Sequence, residues 1–250
     1  MSSLQKNIQQ AIEDFNSIRS AIEARGVPVG EVPTNQYGEK ISKIFGGDVS
    51  ALIPLIERSL TELVIPYGTT AIASNVFSSY KNLSNVVIPE SVTSIGDYAF
   101  NETGIKEIVL PSSLTTIGFS VFRYCNSLTK AVFNSDNIKF TGNNSYMFYY
   151  CLNLKELYNI PNFLGNYPFV YFISGCTNLE IVTVVNNFNT SGLNLTASTK
   201  FSAETLVAIL ENLADRTGLS EYYITFGADN IAKLTAEQIA VATSKNWILA

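Results

Sequence analysis

A unit of about 24 residues restates itself six times along this chain, and few folds can accommodate such a pattern. Its clearest copies are Leu60 to Asn82 (LTELVIPYGTTAIASNVFSSYKN), Leu83 to Gly104 (LSNVVIPESVTSIGDYAFNETG) and Ile105 to Ser127 (IKEIVLPSSLTTIGFSVFRYCNS). Looser copies start at Leu128, Leu154 and Leu179. A repeat of this size is one coil of a solenoid, which cannot bury its apolar side alone and must stack on its neighbours. Stacked coils present long ridged surfaces, so the expectation moves toward binding and away from catalysis.

Within a coil the segment L-x-x-L-x-L reads as a short strand, ended by proline at positions 66, 89, 111 and 161 because proline cannot donate to the ladder. Alternation turns the fourth and sixth residues to the core and the third and fifth outward. The fifth-position residues are Val64, Val87, Val109, Val132, Tyr158 and Thr183, and the third-position residues are Glu62, Asn85, Glu107, Lys130, Glu156 and Ile181. Valines in register would form an exposed apolar stripe rimmed by polar groups, a feature that marks interaction sites. The candidate ligand-binding set is therefore Val64, Val87, Val109, Val132, Tyr158, Asn85, Glu107, Lys130, Glu156 and Thr183. Valine's preference for sheets, self-association, and cover by the N-terminal helix would each produce the same row, and all three stay open.

A second short stretch follows in each coil and points Ile72, Ile95 and Ile117 inward. Phe77, Phe100, Phe122, Phe148 and Phe172 recur at one coil position and should stack as an aromatic spine. Gly96 and Gly118 mark a bend that a side chain would obstruct. Cys125, Cys151 and Cys176 each stand three residues before a coil's first leucine. A metal or redox site would want CxxC pairs or histidine, and the chain has no histidine, so a column of buried thiols is the plainer reading. Copies four to six carry longer, Asn- and Tyr-rich segments of the kind that map to loops on one side of a solenoid. Their tyrosines (Tyr146, Tyr149, Tyr150, Tyr167 and Tyr171) are a second candidate surface, with partial burial in the core as the competing reading.

The remaining features constrain function further. A net charge of −5 provides no basic stripe for phosphates, which argues against a nucleic-acid partner. Without histidine, Ser-His-Asp and Cys-His arrangements are impossible, and no P-loop, Rossmann fingerprint or metal spacing occurs. The expectation is a protein with no enzymatic activity, cofactor or metal. The first residues have no continuous apolar h-region, and no run approaches the length of a membrane span. This predicts synthesis in a cytosol, no membrane partner, and no use of the common secretory route.

Ahead of the repeats, Leu4, Ile8, Ala11, Phe15, Ile18 and Ile22 follow 4-3-4-3-4 spacing, an a/d seam that predicts a helix over residues 4–24. Either the seam holds an oligomer, possible as a homo-trimer, or it packs on the first coil or on a shorter helix over residues 37–45. Behind the repeats, Ser202 caps a predicted helix to residue 214, and Thr235 with Gln238 forms a capping box for another to Ser244. Strands are predicted over residues 222–226 and 247–249, and this tail would seal the solenoid's open end. The domain reading is 1–50 as an attachment or oligomerisation module, 51–200 as solenoid and 201–250 as cap.

The units LSNVVIPESVTSIGDYAF and IKEIVLPSSLTTIGFSVFRYCNSL resemble the leucine-rich repeats of BspA-like bacterial surface proteins. The tail from Phe201 is similar to a segment that often closes such arrays in gut bacteria and their phages. The resemblance covers about residues 60–250. It implies an α/β leucine-rich-repeat solenoid of short parallel strands in about six coils, adhesion or host-surface recognition, and no shared binding residues. Residues 1–47, with AIEARGVPVGEVPTNQYGEKISKI, resemble a short module of phage tail-fibre and baseplate proteins. Together these imply a virion component that meets a host-surface protein or glycan and other virion proteins. A bacterial cell-surface adhesin and a purely structural virion protein are the alternatives.

Overall fold

The L-x-x-L-x-L segments and the stretches after them build two parallel sheets. The structure, a computed structural model, describes residues 60–141, 146–164 and 171–250. The strands alternate between the sheets in chain order: β1 (Glu62–Val64), β2 (Ala71–Ile72), β3 (Asn85–Val87), β4 (Ser94–Ile95), β5 (Glu107–Leu110), β6 (Thr116–Ile117), β7 (Lys130–Phe133), β8 (Asn137–Phe140), β9 (Glu156–Ile160), β10 (Asn162–Leu164) and β11 (Ile181–Val184). Odd-numbered strands form a six-stranded sheet and even-numbered strands a five-stranded one, each ordered as the coils follow in sequence. The six-coil parallel solenoid is thus observed. The predicted helices over 4–24 and 37–45, with the seam residues Leu4, Ile8, Ala11, Phe15, Ile18 and Ile22, lie outside the described residues.

Alternation sorts the side chains as expected. Leu83, Val86, Ile108, Leu110, Ala131, Phe133 and Leu157 are buried, as are Ile72, Ile95 and Ile117 on the second sheet. The third side of each coil is a pair of turns joined to the next coil by backbone hydrogen bonds. Phe77 N–H donates to Ala99 O, Phe100 to Val121, Phe122 to Met147 and Phe148 to Phe172, at 2.9–3.0 Å. Each turn passes through a left-handed residue: Asn75 and Ser79, Tyr98 and Glu102, Ser120 and Tyr124.

Between these turns the phenylalanines stack. Ring centroids lie 5.4 Å apart for Phe77–Phe100, 5.6 Å for Phe100–Phe122 and 5.6 Å for Phe122–Phe148, all near parallel. The spine does not continue through Phe172 as expected. The backbone register sets Phe172 beside Met147, so Ile173 occupies the spine position and Phe172 meets Phe148 edge-on at 83°. An additional residue between Phe172 and Cys176, compared with Phe148 and Cys151, causes the slip.

Gly96 and Gly118 sit where coils touch most closely. A Cβ on Gly96 would lie 2.5 Å from Ser74 N, and one on Gly118 2.4 Å from Asp97 N. Copy five also departs from the expected pattern: Asn159, at the sixth position, is exposed with φ of 56°, and Ile160 takes its core place. The register shifts between Val182 and Val184, a β-bulge in which the Thr183 hydroxyl accepts from Asn159 N–H at 2.8 Å.

Residues 203–211 pack against the last strand of the six-stranded sheet. Helix α1 (Ala203–Glu211) is capped by Ser202, and α3 (Ala236–Ser244) by the expected capping box of Thr235 and Gln238. Between them lies α2 (Ala228–Ile231). Strands β13 (Tyr222–Thr225) and β14 (Trp247–Leu249) form a parallel sheet with β12 (Leu193–Asn194). Neither β12 nor α2 was legible in the sequence, and β12 reaches the cap from ahead of Lys200. Trp247 is buried and its indole donates to Ala214 O at 2.9 Å. The ammonium of Lys245 donates to Leu210, Glu211 and Leu213 carbonyls, so a cation satisfies the C-terminal end of α1.

Candidate binding surfaces

Two outward faces carry the candidate residues. On the six-stranded sheet, Glu62, Asn85, Glu107, Lys130, Glu156 and Ile181 follow one another in register. Val64 pairs with Val87, and Val109 pairs with Val132, which pairs with Tyr158. Val64, Val87 and Val109 are 58%, 48% and 52% exposed, whereas Val132, Tyr158 and Thr183 are half-buried. The apolar stripe is therefore open over the first three coils and narrows afterwards. There Lys130 Nζ meets Glu156 Oε2 at 3.2 Å and lies 5.1 Å from the Tyr158 ring centroid. The Glu156 hydrogen bond holds Lys130 above its ordinary pKa. Desolvation and then the Glu156 charge do the same for Tyr158. Such an exposed ion pair orients side chains more than it stabilises the fold.

The turn side carries the second surface. Tyr98, Ser120, Tyr146 and Tyr171 occupy one coil position; Arg123 and Tyr149 share another, and Tyr124 and Tyr150 a third. Tyr146 stacks on Tyr171 at 4.9 Å, Tyr149 meets Tyr150 at a tilt at 4.6 Å, and Tyr124 meets Tyr149 edge-on at 5.8 Å. The Arg123 guanidinium carbon lies 4.6 Å from the Tyr124 centroid, 5.4 Å from Tyr149 and 5.9 Å from Tyr146. Its Nη2 donates to Tyr124 Oη at 3.2 Å, which is the leading cause of its raised pKa. Tyr150 and Tyr171 are 43% and 42% exposed. Tyr167 lies outside the described residues.

The thiols form the expected buried column. Cys125, Cys151 and Cys176 donate to the carbonyls of Phe100, Phe122 and Phe148, one coil back, at 3.0–3.1 Å. All three are free cysteines. Burial lifts the Cys125 pKa to about 11 and moves that of Cys151 well upward, so these two sulfurs stay protonated and are poor nucleophiles. Among the described residues no group of three or more metal-ligating side chains occurs, and no helix is long and apolar enough to cross a membrane.

The family model described as BspA type leucine rich repeat region matches residues 56–174, in six copies. Over that stretch the chain is similar to the BspA type repeats, and its stacked parallel strands fit a leucine-rich-repeat solenoid. Among solved structures it is similar to a leucine-rich repeat protein from Eubacterium ventriosum, with 26% identity, 56% of this chain and 37% of that one covered, and a TM-score of 0.43. It is also similar to a leucine rich cell surface protein from Faecalibacterium prausnitzii, with 17% identity, 73% and 62% covered, and a TM-score of 0.32. A third is the pneumococcal vaccine antigen PcpA, with 18% identity, 66% and 45% covered, and a TM-score of 0.38. The chain spans less than two thirds of each of these solved proteins. No curated protein matches it.

Leucine-rich-repeat proteins are typically non-enzymatic binders, and nothing among the described residues of this array points to catalysis. The outer face of the six-stranded sheet was readable from strand alternation. Arg123 and Tyr124 were not singled out by sequence reasoning. Aligning FRYC of copy three on FYYC of copy four places both beside the tyrosines already suspected.

Proposed function

We propose that this protein recognises a host-surface protein or glycan without catalysing a reaction, and that it contacts this partner through the outer face of the six-stranded sheet. The observation that carries the proposal is the open row of Val64, Val87 and Val109, flanked by Glu62, Asn85 and Glu107. An apolar stripe rimmed by polar groups gives a partner buried area at its centre and hydrogen bonds at its edge. Lys130, Glu156, Tyr158 and Thr183 extend the same face along the array.

The resemblance of residues 1–47 to tail-fibre and baseplate segments supports the finer reading of a virion component, held to other virion proteins and trimerised through residues 4–24. The BspA-type match favours a second reading, a bacterial cell-surface adhesin. The charge of −5 supports neither a nucleic-acid nor an anionic-membrane partner.

Val87→Arg combined with Val109→Arg should abolish binding to host cells while leaving the thermal unfolding midpoint unchanged. Unchanged binding by the folded double variant would eliminate the sheet face. The mass in solution tests the virion reading: a trimer that becomes a monomer when residues 1–47 are deleted supports it. A full-length monomer overturns it.

A further inference from the structure

The turn side holds a charge that no described residue neutralises. Arg123 has no carboxylate within ion-pair distance among the described residues, although the chain as a whole is acidic. Glu102, in register with Tyr124 one coil on, accepts from Asn101 Nδ2 at 3.4 Å instead. The Nε of Arg123 and the nearby Ser120 hydroxyl are both buried without a hydrogen-bond partner among the described residues. The rings around this charge are seated, not loosely displayed. Tyr124 and Tyr150 both hold φ at 57°, a conformation that glycine adopts freely and tyrosine does not. The Tyr150 ring lies across Gly175, where a Cβ would come within 2.8 Å of a ring carbon.

We propose that this surface binds an acidic carbohydrate. A pyranose ring has an apolar C–H face that can lie on the Tyr150 and Tyr171 rings, and its hydroxyls can pair with phenols at their edges. The carboxylate of a uronic acid supplies the anionic partner that Arg123 lacks among the described residues, and a guanidinium matches a carboxylate in charge and plane. A neutral sugar leaves that cation unmet, so the site selects for acidic residues. The proposal rests on reading the chain as a recognition protein but does not require the sheet to be the contact.

The test is calorimetric titration of the full chain with trigalacturonic acid, with galactotriose as the neutral control. The wild-type chain should bind the acidic trimer and bind the neutral one at least about tenfold more weakly. Arg123→Gln should lose about tenfold or more in affinity for the acidic trimer, and Tyr171→Ala, at an exposed ring, should weaken both. Val87→Arg with Val109→Arg should leave this titration unchanged. If the double arginine variant abolishes host binding while trigalacturonic acid never binds, the recognition reading stands and this site falls. Equal affinity for both trimers, full affinity in folded Arg123→Gln, or binding of an acidic tyrosine-containing peptide in place of either sugar also overturns it.

Discussion

Five phenylalanines and five tyrosines run through neighbouring positions of the same coils, and they serve opposite ends. Phe77, Phe100, Phe122 and Phe148 stack face to face in the interior, with Phe172 closing the group edge-on. Tyr124, Tyr146, Tyr149, Tyr150 and Tyr171 gather outside in varied orientations, the first three within 5.9 Å of one arginine. Phe122 and Phe148 adjoin Arg123 and Tyr149 directly in sequence. Interior rings must repeat because each fills the space that the previous coil leaves. Outer rings have no such constraint and cluster where the coil sequence changes. One repeat thus supplies both a uniform scaffold and a local, non-repeating surface.

The sharpest test of that division is Phe122→Ala, which leaves a cavity between two stacked rings. It should cost about 3–5 kcal/mol in urea unfolding; a loss below about 1 kcal/mol would mean that the spine is decorative. Gly118→Ala comes next at about 1–3 kcal/mol, because the new methyl meets the Asp97 backbone, which cannot rotate away. The Cys125 thiol should show a pH effect of known sign. Burial raises the folded pKa of Cys125 to about 11, so its contribution is complete below the unfolded value of about 8.5. That contribution is lost as pH climbs between the two values, and iodoacetamide at pH 8 should label the buried cysteines only after unfolding. Rapid labelling of the native chain would contradict the burial. The smallest effect belongs to Tyr171→Ala, within about 0.5 kcal/mol of wild type. A penalty resembling that of Phe122→Ala would place the outer tyrosines in the core and dissolve the comparison.

How much could be read in advance follows the same line. L-x-x-L-x-L with its prolines specified the strands, because period-two burial leaves a strong trace in apolar residues. The Ser202 cap and the Thr235–Gln238 box were legible because capping is local chemistry. Residue type misled at Phe172: a phenylalanine near the expected place looked like a spine member, whereas the spacing to Cys176 already showed one residue too many. The bulge at Asn159 escaped for a similar reason, since one inserted residue shifts the register without altering composition. Arg123 was invisible because its significance lies in what surrounds it, and those rings come from the following coil as well as its own. The valine stripe was anticipated in position, but its narrowing beyond Val109 depends on the larger Tyr158 beside Val132.

The contribution of Leu193–Asn194 to the cap's sheet has a consequence for how such genes can change. Leu193 pairs with Ile224, Phe188 N–H donates to Asn212 O, Asn230 Nδ2 donates to Ser198 O, and Lys233 Nζ bonds Thr199 and Phe201 carbonyls. A recombination joint placed at residue 200 would separate nearly all of these partners. A joint between coils cuts a seam that recurs in nearly the same form at each step of the early array. Whole units can therefore be duplicated or dropped upstream, while residues 188–250 must travel as one inherited block.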